Sequence, residues 1–495
     1  MTPLATPPLT MTPFTILWIT LPFAVGFSIY LLPQVDRILT LAVTLVSVAY
    51  ASALVFQPEA LTIDLLDSFG VSLLADKLSA WFILTNALVT AAIVLHGWDS
   101  PKTEFFYTQL IILHGSVNAT FICADLISLY VALEMVGITT FLLISYPRTD
   151  KTLWVGLRYL FVSNVAMLFY LMGTVLVYRT HQSFAFEGLR GAPIEAPALI
   201  LMALLVKGGI FVSGLWLPQT NVAADSAVSA MMSGAVEKAG VFPLLRIALT
   251  LEELEPVIQT FGMGTALLGV TYALVSTDAK RVLACSTLSQ LGWLLVAPAV
   301  AGFYALAHGL AKATMFLTVG QLPQRDLAQL RQRPIPTALW IPLTVGSLSI
   351  SGAPFLAGFG AKVLTLDALL PWQATVMNTA ALGTAATYAK FIFLPHRPTL
   401  VMAGDNAPKK GFWLAIWLLL CSVIIASAGY RDAYTWANAL KVLAFLGGGW
   451  LVYGLLRRHL TMPVPRAAEE FEPLIGGMSV MLVVLFWMVW SWSVA

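Results

Sequence analysis

Lys207 and Lys238 fall inside apolar runs long enough to cross a membrane, and what such residues can do there is hold and release a proton. An ionised side chain near the bilayer centre costs roughly 2.5–3.5 kcal/mol on insertion scales, so residues of this kind face a bundle interior or a wet cavity. Lys207 is followed at once by Gly208-Gly209, then by Ser213-Gly214 and Trp216-Leu217-Pro218. Glycine weakens a helix interior and proline removes a backbone donor. Non-helical backbone at membrane depth is tolerated only where protein or trapped water satisfies it. The stretch therefore reads as a discontinuous helix carrying Lys207, a link over Gln219–Asp225, and a second helix carrying Lys238.

Other ionisable residues lie at a similar depth. At 1.5 Å of rise per residue, Glu134, Lys207, Glu237, Lys238, His308 and Lys312 all fall within about two turns of the middle of their runs. His308 and Lys312 are i, i+4 neighbours on one helix face, close enough to exchange a proton directly or through one water. Desolvation and a neighbouring carboxylate act on a lysine in opposite directions, so a Glu–Lys pair within a series of lysines can toggle charge near neutral pH. One buried Glu–Lys pair is readily a structural bridge between helices. A row of five or more is not, because structure gains little from repeating a costly device. Lys390 lies near a helix end and is expected to snorkel. Asp76 and Lys77 sit at an entrance and read as structural or interfacial. His114 is equally a satisfied core histidine or a relay member, and Glu237 beside Lys238 is an extra charge to which the sequence assigns no role.

These residues must be positioned by helices. The chain has 495 residues, 59% hydrophobic and 11% charged, far from soluble globular composition. Sixteen apolar runs can be counted, so the expected fold is an all-α polytopic membrane protein of about 14–16 transmembrane helices, a single membrane domain over residues 1–495. The first run is read as a retained helix. Basic residues gather on alternate loops: Arg37, Lys102, Arg148 with Lys151 and Arg158, Lys280 with Arg281, Arg325 with Arg331 and Arg333, Arg397 with Lys409 and Lys410, and Arg457 with Arg458. The intervening loops are acidic or mixed, with Glu59, Asp64, Asp67, Asp125 and the Glu252–Glu255 segment. The positive-inside rule then puts the N-terminus outside. Cys123, Cys285 and Cys421 lack metal-type spacing and read as packing residues. No phosphate-cradling, dinucleotide, iron–sulfur or HExxH pattern occurs, so no cofactor or metal is expected, and no charge run calls for nucleic acid.

A second Gly/Pro break, SGAPFLAGFGAKVLTL, sets Lys362 in the later half as Lys207 is set in the earlier one. Paired interrupted segments point to a transporter site built on structural repeats.

At these residues the sequence resembles the antiporter-like proton-translocating subunits shared by respiratory complex I, membrane-bound hydrogenases and the multisubunit Mrp cation/proton antiporters. The resemblance runs from about Asp125 to Leu366. It rests on Glu134 in VALEMVG, Lys207 before WLP, Lys238 in AVSAMMSGAVEKAGVFPLLR, the segment DAKRVLACSTLSQLG, the trio His308, Lys312 and Phe316, and Lys362 in GFGAK. The chain departs from the family around its WLP turn, FVSGLWLPQTNVAAD standing where a histidine-containing FPLH is common. The VALEM context and the final pair of runs look more like an Mrp D-type subunit than a complex I homologue. The resemblance implies two inverted repeats with discontinuous helices, over 104–250 and 257–395, followed by C-terminal helices over 411–495. It also implies Glu134, Lys207, Lys238, His308, Lys312 and Lys362 as the proton path, other membrane subunits as partners, and protons and sodium as the ions moved. A transporter subunit in a prokaryotic cell membrane is thus expected, rather than an enzyme with its own redox site. The alternatives are a proton-pumping subunit of a complex I-like or hydrogenase assembly, and a non-conducting membrane scaffold for a soluble partner.

Overall fold

The computed structural model describes residues 11–65, 70–398, 407–456 and 471–494; Asp67, Arg457 and Arg458 of the charged loops lie outside them. Within these residues the chain is almost wholly helical. Helices α1 (Met11–Leu31), α2 (Asp36–Phe56), α3 (Lys77–His96), α4 (Glu104–Ile122), α5 (Leu126–Ile144) and α6 (Asp150–His181) come first. Next, α7 (Glu195–Lys207) and α8 (Trp216–Ala223) share one broken run. In the following run α9 (Ser226–Met231) passes through a π-turn (Met232–Val236) into α10 (Glu237–Thr250). Then come α11 (Glu255–Val275), α12 (Ala279–Leu295), α13 (Ala301–Val319) and the one-turn α14 (Leu327–Leu330). The second broken run is α15 (Thr337–Ser351) with α16 (Ala357–Asp367), followed by α17 (Pro371–Ile392), α18 (Lys410–Ala428), α19 (Trp436–Leu456) and α20 (Phe471–Val494).

Eleven helices among the described residues are long and apolar enough to cross a membrane. The other runs marked out by the sequence are helical too, but shorter, broken or more polar, and several of these hold the charges of interest. The runs from α4 to α10 and from α11 to α17 form two sets of five, each broken in its fourth run. Their order through the bundle is opposite. α4 starts at the end where Arg37 donates to the Ser100 carbonyl (3.0 Å) and Lys409 to that of Asp99 (2.7 Å). α11 starts at the other end, beside the Glu253–Arg190 contact.

Side chains at the helix ends hold the two caps of the bundle. At the acidic end, strands β1 (Leu61–Asp64) and β2 (Ser72–Ala75) form an antiparallel hairpin. Asp125 caps α5 through Ser128 N–H (2.8 Å) and also accepts from Ser72 N–H (2.9 Å), tying hairpin to helix. Asp76, the N-cap of α3, takes a bidentate pair of bonds from Arg246 of α10 at 2.5 and 2.6 Å. Asp76 is structural, as expected. At the basic end Lys102 meets Asp225 (3.2 Å), Arg325 donates to the Val222 carbonyl (3.1 Å), and β3 (Ile335–Pro336) pairs in parallel with β4 (His396–Arg397). Outside the two sets, α20 packs along α7 and against the turn beyond its break, Gly477 coming close to Val212.

Breaking a buried charge pair from one side costs about 3–5 kcal/mol, and less where a partner stays partly wet. Arg246 is buried and the Asp76 side chain is a quarter exposed. Asp76→Asn is therefore expected to destabilise the purified protein by about 2–3 kcal/mol, read as a lower thermal-unfolding midpoint in detergent.

Candidate functional site

The first break is built by its own sequence. α7 ends where Gly208 and Gly209 (φ +66°) turn the chain back, and a 3₁₀ turn, Phe211–Leu215, leads into α8. The chain beyond the break bonds the last carbonyls of α7: Ile210 N–H donates to Leu205 (2.8 Å) and Gly209 N–H to Val206 (3.1 Å), while Ser213 Oγ donates to Ile210 (2.6 Å) with Leu205 also in reach (3.2 Å), and the Trp216 indole to Val206 (3.2 Å). Serine and tryptophan thus supply donors that the bilayer lacks. The link predicted over Gln219–Asp225 is shorter than expected. Gln219–Ala223 belongs to α8, because Pro218 falls in its first turn, where a missing N–H costs little. Gly240 of α10 lies directly on Gly208, where a Cβ would come within 2.4 Å of the Gly208 nitrogen. That close approach brings α7 and α10 together.

Lys207, the last residue of α7, donates to Ser163 Oγ of α6 (2.5 Å). Its ammonium also rests on Gly137 of α5, where a Cβ would come within 2.9 Å. Glu134 is one turn away on the same helix, half-buried, and acts on Lys207 through space; among the described residues the two form no direct ion pair. Lys238 is fully buried and turns back on its own helix, donating to the Ser233 and Gly234 carbonyls of the π-turn at 2.8 Å each. It comes against α13 at Gly309, next to His308. Lys312, also fully buried, does not point at His308 one turn before it. It donates to the Leu283 carbonyl of α12 (2.7 Å) and lies over the Tyr388 ring.

A hydroxyl link that no sequence pattern singles out joins these two lysines. Ser233 Oγ meets Thr287 Oγ1 (2.7 Å), and Thr287 donates to the same Leu283 carbonyl that holds Lys312. The Thr287 proton is committed there, so Ser233 is the donor. The link therefore runs from the π-turn under Lys238 to the acceptor of Lys312. A π-turn inside an α-helix is itself a frequent mark of a functional position.

In the second break Gly352 (φ +89°) ends α15, and a Cβ at Gly358 would fall on the Ser349 carbonyl. Lys362 follows on α16, with its ammonium 5.0 Å from the Trp293 ring centre and no hydrogen-bond partner among the described residues. It lines two cavities. The inner one, with room for about one water, is shared with His308, Tyr304, Gln290 and Ser349. The outer and larger one is bordered by Ser351, Asp367, Asn438 and Lys441. Both His308 ring nitrogens are buried without partners among the described residues. Glu134 with Lys207, then Lys238 with Lys312, then His308 with Lys362 are thus three neighbouring groups in one buried band.

Two lysines differ from expectation. Lys390 does not snorkel; it is buried and donates to three carbonyls at the end of α11, Ala273 (2.9 Å), Leu274 (2.6 Å) and Ser276 (2.8 Å). Lys280, counted with the basic loops, is fully buried and donates to the Ala224 carbonyl (2.7 Å) and Ser229 Oγ (3.2 Å). Cations at helix C-termini find carbonyls lacking partners, which compensates their burial. His114 is a satisfied core histidine. Its ring meets Ser47 (2.9 Å), Asn118 (3.0 Å) and Thr90 (3.2 Å) within α1–α4.

Overpacking a core costs about 1–3 kcal/mol, and glycine-to-alanine in a helix returns at most about 1 kcal/mol. Gly240→Ala sets backbone against backbone and is expected to lower thermal stability by about 2 kcal/mol or more. Gly447→Ala on α19, with nothing within 4 Å of the new methyl, is expected to leave stability unchanged or raise it; unfolding midpoints of the two variants in detergent test the contrast.

The chain is similar to known proteins in sequence and in fold. The chain is 25% identical over 403 residues to the D component of the Na(+)/H(+) antiporter of Alkalihalophilus pseudofirmus, covering 73% of this chain and 81% of that protein. It is 28% identical over 320 residues to NAD(P)H-quinone oxidoreductase chain 4 1 of Synechococcus elongatus, covering 58% of this chain and 59% of that one. The fold matches a chain in the structure of the Mrp complex from Dietzia sp. with a TM-score of 0.77 and 21% identity, over 95% of this chain and 59% of that chain. The family model described as NADH:quinone oxidoreductase/Mrp antiporter, transmembrane, matches residues 123–387. Both breaks and the whole buried band fall within that match, and the chain is an integral membrane protein belonging to the NADH:quinone oxidoreductase/Mrp antiporter family.

Proposed function

We propose that the chain is a proton-translocating subunit of a multisubunit monovalent cation/proton antiporter, with sodium as the exported cation and other membrane subunits as partners. The observation that carries this reading is the buried band itself. Lys207, Lys238, Lys312 and Lys362 stand on α7, α10, α13 and α16, held by neutral oxygens or an aromatic face rather than by carboxylates. A lysine neutralised by a direct carboxylate partner is fixed in its charge, whereas one on a hydroxyl or carbonyl can lose its proton without leaving a bare anion behind. Glu134 sets the charge state of Lys207 through space. The proton then passes Lys238 and, by the Ser233–Thr287 side, reaches Lys312 and His308. Lys362, between the inner and outer cavities, opens to the far side. The basic end is cytoplasmic under the positive-inside rule, which puts the N-terminus outside, in a prokaryotic cell membrane.

The relative named as a component of a Na(+)/H(+) antiporter supports the antiporter assembly. The likeness to a quinone oxidoreductase chain supports a second reading, a proton pump powered by a redox partner. Sodium-dependent proton movement in inverted vesicles from cells expressing the complete native operon separates the two. Collapse of a pH gradient on adding sodium is the expected result. Pumping only on adding an electron donor would assign the chain to a redox assembly, and silence in both would favour a scaffold.

In the same assay Lys207→Ala and Glu134→Ala are each expected to abolish transport while the protein still inserts at normal levels. Gly137→Ala probes the site more gently. Its methyl would come within 2.9 Å of the Lys207 ammonium, which must shift away from Ser163, while helix propensity improves. The variant is expected to accumulate as well as the parent and to lose most transport.

A further inference from the structure

Glu237 stands outside the path described so far. It is fully buried at the start of α10, just after the π-turn and beside Lys238. One carboxylate oxygen accepts from Asn221 Nδ2 of α8 (3.2 Å); among the described residues the other has no partner, and neither has the Asn221 carbonyl oxygen. The two ammonium groups that act on it are turned elsewhere: Lys238 to the π-turn and Lys312 to Leu283. A buried carboxylate that served only to pin helices would be expected to have its lone pairs bonded, since unmet ones are costly.

Its surroundings give it another use. Glu237 is within electrostatic reach of Lys238 on its own helix and of Lys312 on α13, and both of these act in turn on His308. Tyr159 of α6, stacked obliquely on Trp216 with ring centres 5.2 Å apart, feels the charge of both Glu237 and Glu134. The carboxylate thus sits at the junction of the α5–α8 side, which holds Glu134 and Lys207, and the α10–α13 side, which holds Lys238, His308 and Lys312. Asn221 belongs to the same broken run as Lys207, so a shift of α8 at the break would reorient the carboxylate directly.

Resting on the proton-translocation reading above, we propose that Glu237 is a further proton-carrying residue of the axis, oriented by Asn221 and placed between Lys207 and the Lys238–Lys312 pair. In the step it takes, an ammonium on the α7 side gives up one proton and becomes a neutral amine, and the carboxylate becomes a carboxylic acid. That acid then protonates a neutral amine at Lys238 or Lys312, which restores the carboxylate. Each step moves one proton and changes no other bond. Between transfers the negative charge at Glu237 offsets the cations at Lys238 and Lys312, as Glu134 offsets Lys207.

The test uses the complete assembly in vesicles. Sodium-dependent proton transport is measured across a pH series for the parent, Glu237→Gln, Glu237→Asp and Lys207→Ala. Glu237→Gln keeps the shape and an acceptor for Asn221 but cannot ionise. A tenfold or greater loss, or a displaced pH profile, at normal membrane levels and with partial recovery in Glu237→Asp, is the result expected. A wild-type rate and profile in Glu237→Gln, in membranes where Lys207→Ala is dead, overturns the proposal while leaving the transport reading intact. Absence of transport in the parent strikes at that reading instead. Infrared difference spectra of the purified assembly over the same pH series then decide on Glu237 independently. A titrating carboxylic acid band shifted by Asn221→Leu supports the proposal, and spectra unchanged by that substitution overturn it. The same spectra decide the matter if Glu237→Gln fails to accumulate.

Discussion

A lysine ammonium enclosed by apolar helices must find oxygen, and in this bundle the oxygen is neutral. Lys207 takes a serine hydroxyl, Lys238 two carbonyls of a π-turn, Lys312 one carbonyl of α12, Lys280 a carbonyl and a hydroxyl, and Lys390 three carbonyls at the end of α11. In a regular helix the carbonyls are already used by its own N–H groups, so Lys312 has to share the Leu283 carbonyl of α12, which also accepts from Thr287. For Lys238, Lys280 and Lys390 it is irregularities of the fold that make burial tolerable. A π-turn and helix ends each bring an acceptor to depths where lipid has none.

The number and kind of acceptors separate two sorts of buried lysine. Lys390 is locked by three carbonyls at a helix terminus, and Lys280 bridges the first turn of α12 to the α8–α9 link; both join elements together. Lys207 has one hydroxyl and Lys362 an aromatic face, so each is loosely held. Those two stand at the breaks, but differently. Lys207 closes the first half of its run, while Lys362 lies within the second half of the other. Because the two sets of five helices run in opposite directions through the bundle, that difference decides how each lysine stands relative to the two cavities beside α16 and the interior next to α6.

Much of this is legible in the sequence because a charge within an apolar run is conspicuous and its depth follows from counting. Glu134, Lys207, Lys238, His308, Lys312 and Lys362 stand out that way, and both breaks are announced by glycine and proline. Lys280 and Lys390 are misplaced by the same counting because they sit at the ends of their runs, and position along one helix says nothing of what another helix lays over it. The Ser233–Thr287 link is invisible for a different reason. Hydroxyls are common in membrane helices, and only the facing of α12 against the π-turn gives this pair a meaning. The extent of α8 escapes a reading that treats proline as a terminator, since within the first turn it serves as a start.

The packing of α20 along α7 and the turn beyond its break bears on how the protein is made. Helices enter the bilayer in chain order, so α7 and α8 are inserted long before α20 exists. Until then the break carries its glycines and its partly rebonded carbonyls without the wall that α20 provides. The wall beside the first break is thus supplied by a helix made long after it, and a half-made chain holds that face of α7 and its turn uncovered.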